Sequence, residues 1–197
     1  ANGLNTSVQV SAVGLPPGVH CDPVWIGPAV RQAVLVLNAD QNAEPYLGKL
    51  ELQASYQVGN QILTQSVLSG TMSRGGTAGV GRFNSQLTFA VTDTSPVVAV
   101  AAIDRRRYQG GSVIDVDVTV DRQAGQVAEE MLISGLGLPL DIKNRLQRIP
   151  TGNTGTISFY IPPNLSAGKY SIAARVRTKM NPVTNAKNAV EKAVAVE

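Results

Sequence analysis

The 197-residue chain has one cysteine, one histidine and one tryptophan, and aromatic residues make up only 5% of it. A lone Cys21 excludes an internal disulfide framework and any site built from several thiolates. Charge is thin as well, with Asp, Glu, Lys and Arg together at 16%. No apolar run approaches the roughly 18 residues that a membrane-crossing helix needs. The first residues also lack the basic start and apolar core of a secretion signal. A soluble segment, mature or excised, is therefore expected, with no membrane insertion. Glu, Lys and Leu are too sparse for long helices.

The chain does contain 43% hydrophobic residues, mostly Val, Ile, Leu and Ala, with Thr and Ser between them. That content excludes a disordered chain, and branched side chains favour pleated surfaces. The net charge of +3 comes from Lys and Arg spread along the chain without aromatic platforms, so no nucleic-acid partner is expected.

Apolar and polar residues alternate at period two in a series of short stretches. These are 7–13, 32–37, 49–56, 61–68, 86–91, 97–103, 113–120, 128–133, 156–161, 170–176 and 189–196. Turn-formers separate them, among them Pro16-Pro17-Gly18, Gly75-Gly76, Gly110-Gly111 and Pro162-Pro163-Asn164. Short strands at near-regular spacing, with no helical pattern between them, predict an all-β sandwich architecture.

Self-similarity at a fixed offset marks duplicated modules. Val13-Gly14-Leu15-Pro16 returns 123 positions later as Leu136-Gly137-Leu138-Pro139. At the same offset Ile26 falls on Ile149, and Val34 and Val36 fall on Ile157 and Phe159. Allowing three extra residues in the first copy, Gly48-Lys49-Leu50 falls on Gly168-Lys169-Tyr170 and Leu52 on Ile172. Two domains are expected, 1–95 and 96–197, joined at the turn-rich run Thr92 to Pro96 and held end to end by a short linker. The second opens with two strands, 97–103 and 113–120, ahead of the repeated segment. Nothing equivalent precedes Ser7, so the first is expected to be N-terminally incomplete, its opening strands either cut away from this segment or supplied by another chain, and an open edge invites strand addition.

Candidate chemistry is limited. His20 and Cys21 are adjacent, and adjacent strand residues point to opposite faces, which suits them poorly as thiolate and base. Asp115, Asp117 and Asp121 have the oxygen ligands of a calcium site. However, Asp115 and Asp117 alternate with Val116 and Val118, so a solvated strand face is the favoured reading. Glu129-Glu130 is read the same way. Gly75 to Gly81 resembles a phosphate loop by glycine content alone; without a Gly-Lys-Ser/Thr ending it reads as a hairpin loop. Arg105, Arg106 and Arg107, followed by Tyr108, form the one dense basic cluster, able to grip an anionic polymer but best read as a solvated loop. Trp25 could stack on a sugar ring, against a core role for the only tryptophan. These four residues, Trp25, Arg105, Arg106 and Arg107, are the candidate ligand contacts. No catalytic residue, metal or cofactor is expected.

Val8 to Val13 followed by Gly14-Leu15-Pro16-Pro17-Gly18-Val19 resembles the opening of a bacterial Ig-like repeat, in which a strand ends in a Gly-Leu-Pro-x-Gly-Val-type turn. Ile161-Pro162-Pro163 with Ala167-Gly168-Lys169-Tyr170 is similar to the approach to a late strand of such repeats. The resemblance covers the whole chain and is to tandem Ig-like regions of large bacterial cell-surface or secreted proteins, including those with pre-peptidase-type domains. It implies two immunoglobulin-like sandwiches with a structural or adhesive role, located outside the cell, at its surface or in the periplasm. The implied partners are other domains of the same protein or neighbouring copies, with polysaccharide or protein binding beside a secreted hydrolase as the alternative.

Overall fold

A computed structural model describes residues 6–28, 30–75, 78–84, 86–92, 97–122, 130–138, 142–179 and 189–196. Every element among them is a strand and every strand pairing among them is antiparallel, an all-β architecture compatible with a β-sandwich. No helix of the described residues is long and apolar enough to cross a membrane.

In the order of the chain the strands of the first half are β1 (Val8–Val13), β2 (Val19–His20), β3 (Val24–Ile26), β4 (Asn38–Ala39), β5 (Tyr46–Val58), β6 (Gln61–Ser66), β7 (Ser69–Gly75), β8 (Ala78–Asn84) and β9 (Leu87–Val91). The second half continues with β10 (Val97–Ile103), β11 (Val113–Arg122), β12 (Met131–Leu136), β13 (Lys143–Asn144), β14 (Gln147–Ile149), β15 (Thr154–Tyr160), β16 (Ile172–Lys179) and β17 (Ala189–Val196).

The second half builds two four-stranded sheets, in the orders β10-β11-β15-β13 and β14-β12-β16-β17. β11 shows why its sequence folds this way. Ile114, Val116, Val118 and Val120 are buried, whereas Asp115, Asp117, Thr119 and Asp121 face solvent, the period-two division of a strand with one dry face. Opposite it, Met131, Ile133, Ala174 and Val176 of β12 and β16 join the same buried cluster, along with Ile157 and Phe159 of β15. Each large apolar side chain so enclosed contributes roughly 1.5–3 kcal/mol of transfer free energy.

The first half has one five-stranded sheet, in the order β3-β1-β5-β6, with β9 pairing to the opening residues of β5; β2–β4 and β7–β8 are separate ribbons. Its strands repeat those of the second half. β12 begins and ends 123 residues after β1, and β14 likewise follows β3. The registers agree: Val8 lies opposite Ile26, and Met131 opposite Ile149. Gly14 and Gly137 close β1 and β12 with φ of 67° and 61°, a left-handed backbone that glycine adopts without strain. β5 matches β16 at a spacing of 122, because Val8 lies opposite Tyr56 and Met131 opposite Thr178. The register therefore shifts the sequence match of Leu52 from Ile172 to Ala174, two residues along, which keeps the side chain on the same face.

One expected strand is not formed. Residues 31–37 have no strand pairing, although at the 123 spacing they fall on β15, which lies between β11 and β13. Apolar alternation makes a segment ready to be a strand, but a neighbouring backbone is needed to complete the ladder. Among the described residues no counterpart of β10 and β11 precedes β1. Burial follows suit: Met131, Ile133, Ala174 and Val176 are at most 1% exposed, while their counterparts Val8, Val10, Leu52 and Ala54 are only half-buried.

The strands expected at 97–103 and 189–196 are present with those ends, and those expected at 49–56, 61–68, 86–91, 113–120, 156–161 and 170–176 are present with shifted ends. β7 and β8 pair as a hairpin around the glycine-rich stretch, whose Gly76 and Thr77 lie outside the described residues, as do Asp93 to Pro96 of the expected linker, Ala128, Glu129 and Pro139.

Candidate functional site

The two halves meet where β3 approaches the segment leading into β16. The Trp25 N–H donates to Ser171 Oγ at 2.8 Å, and the Ser171 N–H donates to the Trp25 carbonyl at 2.9 Å. Two residues earlier, the Lys169 N–H donates to Ser7 Oγ at 2.8 Å. The Tyr170 hydroxyl donates to the Ser166 carbonyl at 2.6 Å, and burial raises its pKa above the usual phenol range. Glycine permits this close approach: a Cβ at Gly27 would run into the Tyr170 ring, and one at Gly168 into Pro28.

Beside these contacts lies a cavity of about 1060 Å³, lined by Trp25, Val34, Arg106, Tyr108, Lys169 and Tyr170 among others. Lys169 Nζ sits 4.3 Å from the centre of the Trp25 ring, a cation–π contact of roughly 0.5–1 kcal/mol at exposed sites. Trp25 itself is half-buried. At another part of the rim, the Tyr108 hydroxyl donates to Asp104 Oδ1 at 2.6 Å, and Arg105 packs 4.9 Å over the Tyr108 ring. That hydrogen bond is the main cause holding the Asp104 carboxyl below its ordinary range; burial, then Asp104, pushes the Tyr108 phenol up.

Of the four candidate contacts, the structure brings Trp25 and Arg106 to one cavity. Arg105 instead pairs with Asp104 at 3.8 Å, and Arg107 is exposed. Lys169, Tyr170 and Ser171 were not singled out as contacts from sequence. They lie about 146 residues from Trp25, and no periodicity carries information over that separation.

The candidate chemical groups fall elsewhere. His20 Nε2 lies 3.2 Å from Asp40 Oδ2, in an exposed pair, and Cys21 follows just outside β2. The Cys21 thiol is raised above its ordinary range, first by burial and next by the Asp22 carboxylate. Such a thiol stays protonated and is a poor nucleophile. Asp115 and Asp117 sit on the exposed face of β11, as the alternation predicts, and accept hydrogen bonds from Ser158 at 2.5 Å and Thr156 at 2.6 Å. Glu130 pairs with Arg148 at 2.7 Å. The cavity's groups offer cation–π, hydrogen-bonding and apolar contact, the chemistry of holding a ligand.

Comparison with protein-family models, with curated proteins and with solved structures returns no match.

Proposed function

We propose that residues 1–95 and 96–197 are two tandem immunoglobulin-like sandwich modules of a bacterial cell-envelope or secreted protein, with a non-catalytic structural or interaction role and an open first module that associates by strand complementation. The single observation behind this reading is the matched pair of sheets. One has its apolar face enclosed, and the other, with the same order and register, is half open. An uncovered sheet face and unpaired edge attract further polypeptide. Leu63 of β6 and Val58 of β5 add exposed apolar surface at the open end of that sheet. The resemblance to surface-protein repeats supports the extracellular, cell-surface or periplasmic setting.

Sedimentation velocity of the whole chain tests the reading. The expected result is a concentration-dependent species heavier than the 20.7 kDa chain, reduced by Leu52→Lys on the open face. A monomer at every concentration, with the first sheet's amides as slow to exchange as those of β12 and β16, overturns it.

The junction cavity favours a second reading, an accessory module of a larger secreted hydrolase that binds polysaccharide or protein through Trp25, Arg106 and Lys169. Trp25 is the only tryptophan, so its emission reports directly on that site. An unchanged spectrum across a polysaccharide titration counts against it.

A further inference from the structure

We infer that the cavity at the junction of the two halves is a binding site for an acidic peptide segment of a partner protein, whose aliphatic side chain enters the cavity while its carboxylates meet Lys169 and Arg106. The inference rests on the second reading above, in which this cavity holds a ligand, and it names the ligand's chemistry.

The cavity has an aliphatic floor. Ile103 closes β10, Ile114 stands near the start of β11, Ile142 directly precedes β13, Ile161 directly follows β15 and Ile172 opens β16. Strand ends from both sheets of the second half therefore converge on it. Ile114, Ile142 and Ile161 belong to the buried core, and Ile103, Leu165 and Ile172 pack against that core. The cavity is thus the open pole of the second half's core, with Val24, Trp25 and Val34 of the first half completing the wall.

Its rim is cationic. Lys169 and Arg106 line the same cavity, and both are exposed. Among the described residues neither has a carboxylate within ion-pair distance, whereas the neighbouring Arg105 is engaged by Asp104. Among the described residues Asp22 is the only acid on the lining. Two cations against one carboxylate favour an anion at the mouth, and each can make charge-assisted hydrogen bonds to it.

A polysaccharide matches this lining less well. A sugar ring stacks on an open aromatic face, but the Lys169 ammonium already lies 4.3 Å over the half-buried Trp25 ring. The Tyr108 and Tyr170 hydroxyls donate within the chain, to Asp104 and to the Ser166 carbonyl. Sugar hydroxyls pressed onto Ile and Leu side chains would lose water without gaining a partner. A leucine-like side chain gains free energy from the same floor. A bare hydrocarbon gains it too, but leaves both cations unused. A peptide supplies both chemistries at once, because residues i and i+2 of an extended chain point to the same side.

The test is a titration of the full chain with the pentapeptide acetyl-Glu-Ser-Leu-Ser-Glu-amide, followed by Trp25 emission and by calorimetry. Two control peptides carry Gln for both Glu residues, or Ala for Leu; polygalacturonate and dextran are the polysaccharide arms. The expected result is saturable one-to-one binding that shifts Trp25 emission and weakens as salt is raised. The Ala peptide should bind about tenfold more weakly, for the lost aliphatic burial, and the Gln peptide about threefold more weakly. Arg106→Met should weaken binding of the Glu peptide about threefold and leave that of the Gln peptide unchanged, a split that general loosening of the junction does not produce. Arg145→Met, at an exposed arginine outside the cavity, should change neither. Equal binding of the three peptides overturns the inference, as does binding of the Glu peptide unaltered by both Arg106→Met and Lys169→Met. Polygalacturonate or dextran binding where the Glu peptide does not bind also overturns it, and leaves the second reading standing. Absence of binding by every peptide and polymer defeats both.

Discussion

Val10 and Ile133 occupy the same place in two sheets of the same order and register, opposite Val24 and Gln147 respectively, yet Ile133 is 0% exposed and Val10 is half-buried. What differs is the layer above them. The energetic worth of an apolar residue depends on how completely its surroundings enclose it, so the two positions respond differently to the same change.

Ile133→Ala is expected to cost about 2–5 kcal/mol, the range for emptying an enclosed aliphatic site. Val10→Ala is expected to cost about 1 kcal/mol, because its side chain keeps part of its contact with water in the folded chain. Urea denaturation of both variants measures the difference. Equal losses at the two positions would show that the first sheet is covered in solution.

Gly14→Ala and Gly137→Ala form a second matched pair. Both place a side chain at positive φ, 67° and 61°, at a cost of roughly 1–2 kcal/mol. Only at Gly137 would the new Cβ collide with Val34; around Gly14 nothing lies within 4 Å. Gly137→Ala should therefore lower the melting temperature further than Gly14→Ala. The reverse order would place Val34 away from Gly137.

Ser171→Ala removes the hydroxyl that accepts the Trp25 N–H at 2.8 Å. The expected cost is about 1 kcal/mol, with Trp25 emission moving to longer wavelength as the junction loosens. An emission maximum unmoved by Ser171→Ala, and also by Lys169→Met, would contradict the packing of β3 against residues 168–171.

Cys21 supplies a pH test. Its thiol is raised by burial first and by Asp22 second, so the folded chain binds that proton more tightly than the unfolded one. The resulting contribution to stability is complete below the unfolded thiol's pKa and is lost as pH rises through the higher folded value. Iodoacetamide should therefore alkylate folded Cys21 with a midpoint above that of a free thiol. Asp22→Asn should bring the midpoint part of the way down, since burial remains. A profile matching free cysteine would mean the thiol is fully exposed.

From the amino-acid order alone one can read the strand content, the 123-residue spacing of Gly14 and Gly137, and the outward-facing acids of β11, because alternation and turn chemistry are local properties of neighbouring residues. The same local signal over-read 32–37, where Ala33 to Leu37 have the makings of a strand but no neighbour to pair with. Pairing is a property of two segments, and it depends on which backbone lies alongside. For the same reason, the meeting of Trp25 with Ser171, the stacking of Lys169, the two-residue shift of Leu52 onto Ala174 and the half-buried state of Val10 were decided only when distant parts of the chain came together.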